Sequence, residues 1–312
     1  MNTIYTHVII KSICSFQTGI GISANIFLLL LHICMAIQDC RVKPTELITC
    51  HLSLIHIVML LIALNFVSPE FFELLNLQNK FKCKALFYIH RVMRGLSICS
   101  TCFLSVLQAV TISPSNDWLV KIKHILTNYI IHVLLFFWSL NLSFNSDVIL
   151  YTVVYSNMSQ RNLLSVSEYC SLAPRNSTVN KIFFTLALFR DVFFVGVMLL
   201  SSAYMVLLLF RHHRQSLHLH RTSLSPRSSP EQRATQTILL LVSCFVITYW
   251  MNLVISSFST LLWMYNPVLL SVQKFVLNIY AAVCPVIQIA FHNRISDTVQ
   301  NMYWKCHQLL TI

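Results

Sequence analysis

The chain has 312 residues, of which 56% are hydrophobic and only 10% charged, with a mean hydropathy of +0.68. A soluble domain of this length needs a charged surface and cannot hide so much apolar side chain in one core, so the composition excludes that class and points to a membrane-embedded protein. The net charge of +12 lies between apolar runs, which suits loops facing lipid headgroups and not nucleic acid; with four glycines and no GxGxxG or P-loop motif, no nucleotide site and no cofactor are expected.

Apolar runs that meet the about 20 residues of a bilayer crossing are predicted at 8–36, 46–68, 84–112, 125–148, 182–210, 234–263 and 269–291. They are too long for barrel strands and lack strand alternation, and in lipid only a helix of this kind satisfies its own backbone. The expected class is therefore an all-α membrane protein: a seven-transmembrane-helix bundle over 1–291 and a short cytoplasmic tail, 292–312, with an amphipathic helix. Pro44, Pro69, Pro114, Pro174, Pro226, Pro230 and Pro267 fall between runs or at their edges, where a missing N–H does least harm. Pro285 alone lies inside a run and predicts a kink.

The first run starts near the N-terminus with no basic flank or small-residue cleavage site, so it reads as a retained span. The second carries His51 and His56, five apart with no glutamate between them, which fits neither a metal nor a catalytic pair. The third contains the stretch IHRVMRGLSICSTC, 89–102. Counted from Cys83 at the outer boundary, Arg91 and Arg94 descend about 12 and 16 Å at about 1.5 Å per residue. Facing lipid, each would cost at least a few kcal/mol, so both are expected to face the interior or a water-filled cavity, with His90 beside them. Cys99 and Cys102 have CxxC spacing but lie mid-membrane without a companion pair, so packing is expected there, not redox or zinc chemistry.

In the fourth run, Asn141-Leu-Ser matches a glycosylation sequon but lies inside the membrane. Asn157-Met-Ser and Asn176-Ser-Thr, in the loop after it, are the accessible sequons. Cys83 and Cys170 share that outer face; they form a disulfide or remain two separate thiols. The fifth run holds Arg190 and Asp191, and Asp191 is the only acid well inside any run. It is the expected counter-charge of Arg91 and Arg94; one acid facing three arginines, Arg190 included, leaves a surplus positive charge that favours ligands with an anionic or strongly accepting group. The competing reading is a pair that only braces two helices, with Arg91 snorkelling outward. Trp250 and Phe194 are candidates for the pocket wall among Phe183, Phe184, Phe189, Phe193, Phe258 and Trp263, residues that at helical spacing otherwise contact lipid.

The loop 211–233 carries Arg211, Arg214, Arg221, Arg227 and Arg233 against one acid, Glu231. Positive charge marks the cytosolic side, which places the N-terminus outside a multi-pass plasma-membrane protein. Its histidines, His212, His213, His218 and His220, are irregularly spaced and lack acid or thiol partners, so no metal site is expected. Ser229-Pro230-Glu231-Gln232 has the pattern of a helix cap opening the sixth run. Beyond the seventh, Ile295, Val299, Met302 and Tyr303 share one face of a segment suited to the inner leaflet.

KPTELITCHLSL (43–54), HRVMRGLSICSTCFLSVLQAVTISPS (90–115) and SPRSSPEQRATQTILLLVS (225–243), with the Cys83–Cys170 spacing and a sequon in the second outer loop, resemble the vomeronasal type-1 receptors, a rhodopsin-like seven-helix family. The resemblance covers nearly the whole chain. It implies a G protein-coupled chemosensory receptor, not an enzyme, that binds a small-molecule pheromone or odorant between its helices. It also implies a heterotrimeric G protein of the inhibitory class as partner on the cytosolic side, and it favours the disulfide reading of Cys83 and Cys170. Asn25 keeps the helix 1 asparagine of rhodopsin-like receptors, but Leu107, Gln108 and Ala109 stand where an acid-Arg-Tyr triplet is usual. His56 takes the place of the usual aspartate, and Cys284-Pro285-Val286-Ile287-Gln288 replaces Asn-Pro-x-x-Tyr. Another rhodopsin-like chemoreceptor, such as a bitter-taste receptor, is the nearest alternative. A transporter is disfavoured by the lack of inverted repeats or paired broken helices, and an intramembrane enzyme by the lack of a paired catalytic set.

Overall fold

A computed structural model describes residues 2–39, 43–67, 79–113, 117–146, 149, 152–154, 164–165, 170–172, 177–219, 230–261 and 267–291. Helices α1 (Asn2–Asp39), α2 (Pro44–Val67) and α3 (Asn79–Ile112) come first. Then follow α4 (Asp117–Asn128) and α5 (Ile130–Phe144), and after a loop α6 (Ser177–Leu219), α7 (Pro230–Leu261) and α8 (Pro267–Phe291). Among the described residues six helices are long and apolar enough to cross a membrane, and seven spans result when the bent pair α4–α5 is counted as one. The seven-helix expectation holds on that count.

The fourth span departs from a straight helix over 125–148. Its two parts meet at Tyr129 with a 63° bend. The backbone stays bonded through the corner, Tyr129 N–H to the Ile125 carbonyl at 2.9 Å and Val133 N–H to the Tyr129 carbonyl at 3.0 Å. The physical reason lies in α4: Lys121, Lys123 and His124 carry polar heads on it, and a helix bearing them fits along the headgroups better than across hydrocarbon. Similarly α6 runs on to Leu219, so the first part of the expected 211–233 loop is helix; no Pro or Gly interrupts it before Pro226. Pro285 sits inside α8 without ending it, and α7 opens at Pro230 as the cap pattern expects. Ser229 and the tail 292–312 lie outside the described residues.

The loop between the fourth and fifth spans adds a small feature to an otherwise helical protein. Strands β1 (Thr152–Val154), β2 (Leu164–Ser165) and β3 (Cys170–Leu172) form an antiparallel sheet in the order β1-β3-β2, with Val154 opposite Cys170. Strand β1 contacts α3, so the backbone brings the strand bearing Cys170 close to the helix that bears Cys83. The side chains of both cysteines lie outside the described residues, as do the sequon asparagines Asn157 and Asn176.

Helix α3 is the axis of the bundle. It touches α2, α5, α6 and α7, and 72% of its span is buried against 17% for α6. Around it α1 packs on α2 and α8, and α7 closes the ring onto α8. Lipid supplies no hydrophobic drive between helices, so close approach and buried polar contacts carry the packing. A Cβ on Gly21 of α1 would meet Ala282 Cβ of α8 at 2.9 Å and Leu60 Cδ1 of α2 at 2.8 Å, which explains why that position has none. One turn on, Asn25 Nδ2 donates to the Ala281 carbonyl of α8 at 2.9 Å. Met59, Leu96, Cys99, Cys102, Phe137, Met198, Phe245 and Tyr280 belong to one apolar cluster reaching from α2 to α8. Cys99 and Cys102 therefore pack, as their position suggested.

Candidate ligand-binding cleft

Two histidines of α2 tie that helix to its neighbours. Trp138 Nε1 of α5 donates to His51 Nε2 at 2.9 Å, which leaves the ring proton on Nδ1 to reach Ser100 Oγ of α3 at 3.2 Å. His56, fully buried, pairs through Nε2 with Ser97 Oγ at 3.0 Å and lies edge-on to Tyr280, with ring centres 5.4 Å apart. Thr101 and Tyr280 join hydroxyls at 2.9 Å. These contacts fix α2, α3, α5 and α8 around one level of the bundle.

Just beside them a cleft of about 390 Å³, its mouth included, opens between four helices. Met59 of α2, Arg94, Ser97 and Ile98 of α3, Phe245, Thr248, Tyr249 and Asn252 of α7, and Tyr280 of α8 form most of its wall. The interior has room for about two waters, so a larger guest must part the walls. Aromatic rings and aliphatic side chains share its apolar wall. Phe245 stacks on Tyr249 at 6.1 Å and meets Tyr280 edge-on at 5.0 Å.

The charged residues fall into two sets. Arg190 of α6 holds its own neighbour, with Nη2 and Nε donating to Asp191 Oδ1 at 2.7 and 2.9 Å, and their side chains are only 10% and 13% exposed. Arg190 Nη1 donates at 3.0 Å to Asn141 Oδ1 of α5. Asn141 is fully buried; its Nδ2 donates to the Phe137 carbonyl at 2.8 Å and faces Cys99 Sγ at 3.6 Å. This corrects the expected pairing. Asp191 is engaged by Arg190, an adjacent residue whose guanidinium is anchored from the other side, and not by the arginines of α3.

Arg94 stands apart. Its guanidinium lies over the Tyr249 ring, 6.0 Å from the centre, and it makes no hydrogen bond or ion pair with any other described residue. Asp191 lies within electrostatic range of it, and the Tyr249 hydroxyl approaches Asp191 Oδ2 at a long 3.5 Å. Arg91 does not reach the cleft: it is exposed, with its guanidinium 5.8 Å from the Phe87 ring centre. Three residues of helix put it on a neighbouring part of the same face as Arg94 but about 4.5 Å away along the axis. His90 is half-buried and does not line the cleft.

On α7 the sequence singled out the wrong neighbour of a pair. Trp250 is 67% exposed, on the face shared with Ile247, Met251 and Val254, and Tyr249 lines the cleft instead. Leu241, Phe245 and Asn252 are buried, and Tyr249 completes their helical spacing, so the period of α7 pointed to the tyrosine. Phe194 lies between helices, edge-on to Phe137 at 5.8 Å, whereas Phe189 and Phe193 are exposed. The side chains of Phe183, Phe184, Phe258 and Trp263 lie outside the described residues. Lys274 of α8 was overlooked; it acts electrostatically on His90 together with Arg91 and Arg94. A lone cation inside a run was the available signal, as was a buried-run asparagine for Asn141.

Known sequences resemble this chain over nearly its whole length. The profile of the vomeronasal organ pheromone receptor family matches residues 8–301. Vomeronasal type-1 receptor 90 of Rattus norvegicus is 42% identical over 302 residues, 97% of this chain and 97% of its own length. Vomeronasal type-1 receptor 53 of Mus musculus is 36% identical over 311 residues, covering 100% and 99%, and vomeronasal type-1 receptor A11 of Mus musculus is 39% identical over 297, covering 95% and 93%. The likeness runs through all seven spans, and the chain belongs to the vomeronasal type-1 receptor family, pheromone receptors and not enzymes.

Proposed function

We propose that this chain is a plasma-membrane chemosensory receptor whose ligand is a small pheromone-type molecule with an anionic or strongly hydrogen-bond-accepting group, such as a sulfated steroid or a small carboxylate. Arg94 carries this reading. It is a permanent cation on the wall of the cleft, and its nearest described partner is the face of a tyrosine ring. A guanidinium offers five donors in a planar fork that matches an oxyanion, and in a low-dielectric bundle that match is strong. Asp191 does not satisfy the fork: Arg190 holds its Oδ1, and no hydrogen bond or ion pair joins the carboxylate to Arg94.

Binding at this level wedges α3 from α7, and the inner ends of the helices transmit the change to a heterotrimeric G protein of the inhibitory class. The orientation that supports this has the N-terminus outside and the arginine-rich 211–233 segment in the cytosol, with Asn157 and Asn176 glycosylated and Cys83 joined to Cys170. The deciding experiment expresses wild type and Arg94→Gln at matched surface levels with an inhibitory or a promiscuous G protein. Each is then challenged with steroid sulfates and their neutral parents. Wild type should prefer the sulfates and Arg94→Gln should lose at least about tenfold of that preference, a difference of about 1.4 kcal/mol. An unchanged preference overturns the reading.

A further inference from the structure

The polar groups on the cleft wall are unequally satisfied. Ser97 is held by His56 at 3.0 Å, and Tyr280 by Thr101 at 2.9 Å. The Thr248 hydroxyl donates to the Cys244 and Phe245 carbonyls at 2.9 and 3.0 Å, and Tyr249 turns its hydroxyl toward Asp191. What remains is the Arg94 guanidinium and the side-chain amide of Asn252. Asn252 is only 5% exposed, lines the cleft, and its Oδ1 has no hydrogen-bond partner among the described residues.

A buried amide oxygen requires a donor. A sulfate or carboxylate has none, so the group that satisfies Arg94 does not satisfy Asn252. A protonated amine could donate, but the Arg94 guanidinium on the same small cleft repels a cation. A neutral hydroxyl fits both needs, donating to Oδ1 and accepting from the amide N–H. Resting on the proposed anionic ligand, we infer that Asn252 is a specificity-determining residue that reads a hydroxyl, so that the cleft selects hydroxylated anions over anions lacking the hydroxyl.

The test uses the full-length receptor at matched surface levels and two probe families. The first is a steroid sulfate with a free hydroxyl at its far end, the same sulfate without it, and both unsulfated parents. The second is a short hydroxycarboxylate with its unsubstituted carboxylate and the corresponding neutral amides. Wild type should respond to the hydroxylated anion of at least one family at concentrations about tenfold lower than to its deoxy partner. Asn252→Leu should reduce that ratio to within about twofold while keeping the preference for anion over neutral analogue. Because leucine removes an unmatched polar group from a membrane helix, thermal stability and surface expression should equal or exceed wild type.

The assignment is overturned if Asn252→Leu keeps the tenfold ratio, if wild type ignores the hydroxyl, or if the variant loses stability, which would give the amide a structural partner. Loss of the anion preference in wild type instead sinks the anionic reading on which the assignment rests, and silence toward every probe sinks both.

Discussion

Arg190 of α6 donates to Asn141 of α5 across 3.0 Å, in a gap that exists because residue 95 of α3 is glycine. A Cβ there would collide with Asn141 Oδ1 and stand 3.1 Å from Arg190 Nη1. The glycine thus lets three helices meet around one ion pair, and by engaging Asp191 there the fold leaves Arg94 to face the cleft.

Gly95→Ala should therefore destabilise the receptor by about 1–3 kcal/mol through overpacking. Arg190→Gln alone should cost more, about 3–5 kcal/mol, because it strands a buried carboxylate, and the double change Arg190→Leu with Asp191→Leu should recover much of the loss. Thermal inactivation of the receptor in detergent, followed by surface labelling in cells, checks the order. Equal losses for the single and double changes would mean the pair does not brace the helices.

The Trp138–His51–Ser100 chain predicts a second pattern. Trp138→Phe leaves His51 Nε2 without its donor and should cost about 1–3 kcal/mol. Trp138→Phe combined with His51→Leu removes both polar partners and should cost less than the sum of the two single changes. Additive losses in the double-mutant cycle would show that the 2.9 Å contact carries no coupling.

On α7, adjacent residues should behave oppositely. Tyr249→Leu should shift agonist potency by about tenfold or more, since the ring faces Arg94 and lines the cleft. Trp250→Leu, a change on a side chain that is 67% exposed, should stay within about twofold. Dose–response curves with any agonist of the wild type decide the matter, and the reverse ranking would require α7 to be rotated.

The proposed Cys83–Cys170 disulfide predicts that Cys83→Ser and Cys170→Ser each lower stability by about 2–5 kcal/mol, and that the double change is no worse than either alone. A mobility shift on reduction gives an independent check. Asn157→Gln should remove one glycan from the expressed protein, measured by digestion with an endoglycosidase; no change in mobility would count against an outer position for this loop.

The spans, their order and the family were legible in the sequence because each rests on something local. A run of about 20 apolar residues has no alternative to a helix in lipid, and prolines mark where runs end. The inward direction of Arg94 followed from the cost of a cation in hydrocarbon, whereas Arg91, given the same expectation, is exposed. Which partner each charge takes was a different kind of question. Asp191 was legible as the acid that matters, yet its choice of Arg190 over Arg94 depends on Asn141 approaching from α5 through the space at Gly95. Likewise the exposure of Arg91 and Trp250, the 63° corner at Tyr129, and the unmatched oxygen of Asn252 depend on how helices are rotated against one another. Rotation is set by side chains from several helices meeting at once, and no single stretch of sequence contains them all. The sequence by itself determined a seven-helix receptor with cations placed inside its spans; only the tertiary structure decided that Arg94 faces the cleft and Arg91 does not, because helix rotation and not local sequence sets which side chain enters the space.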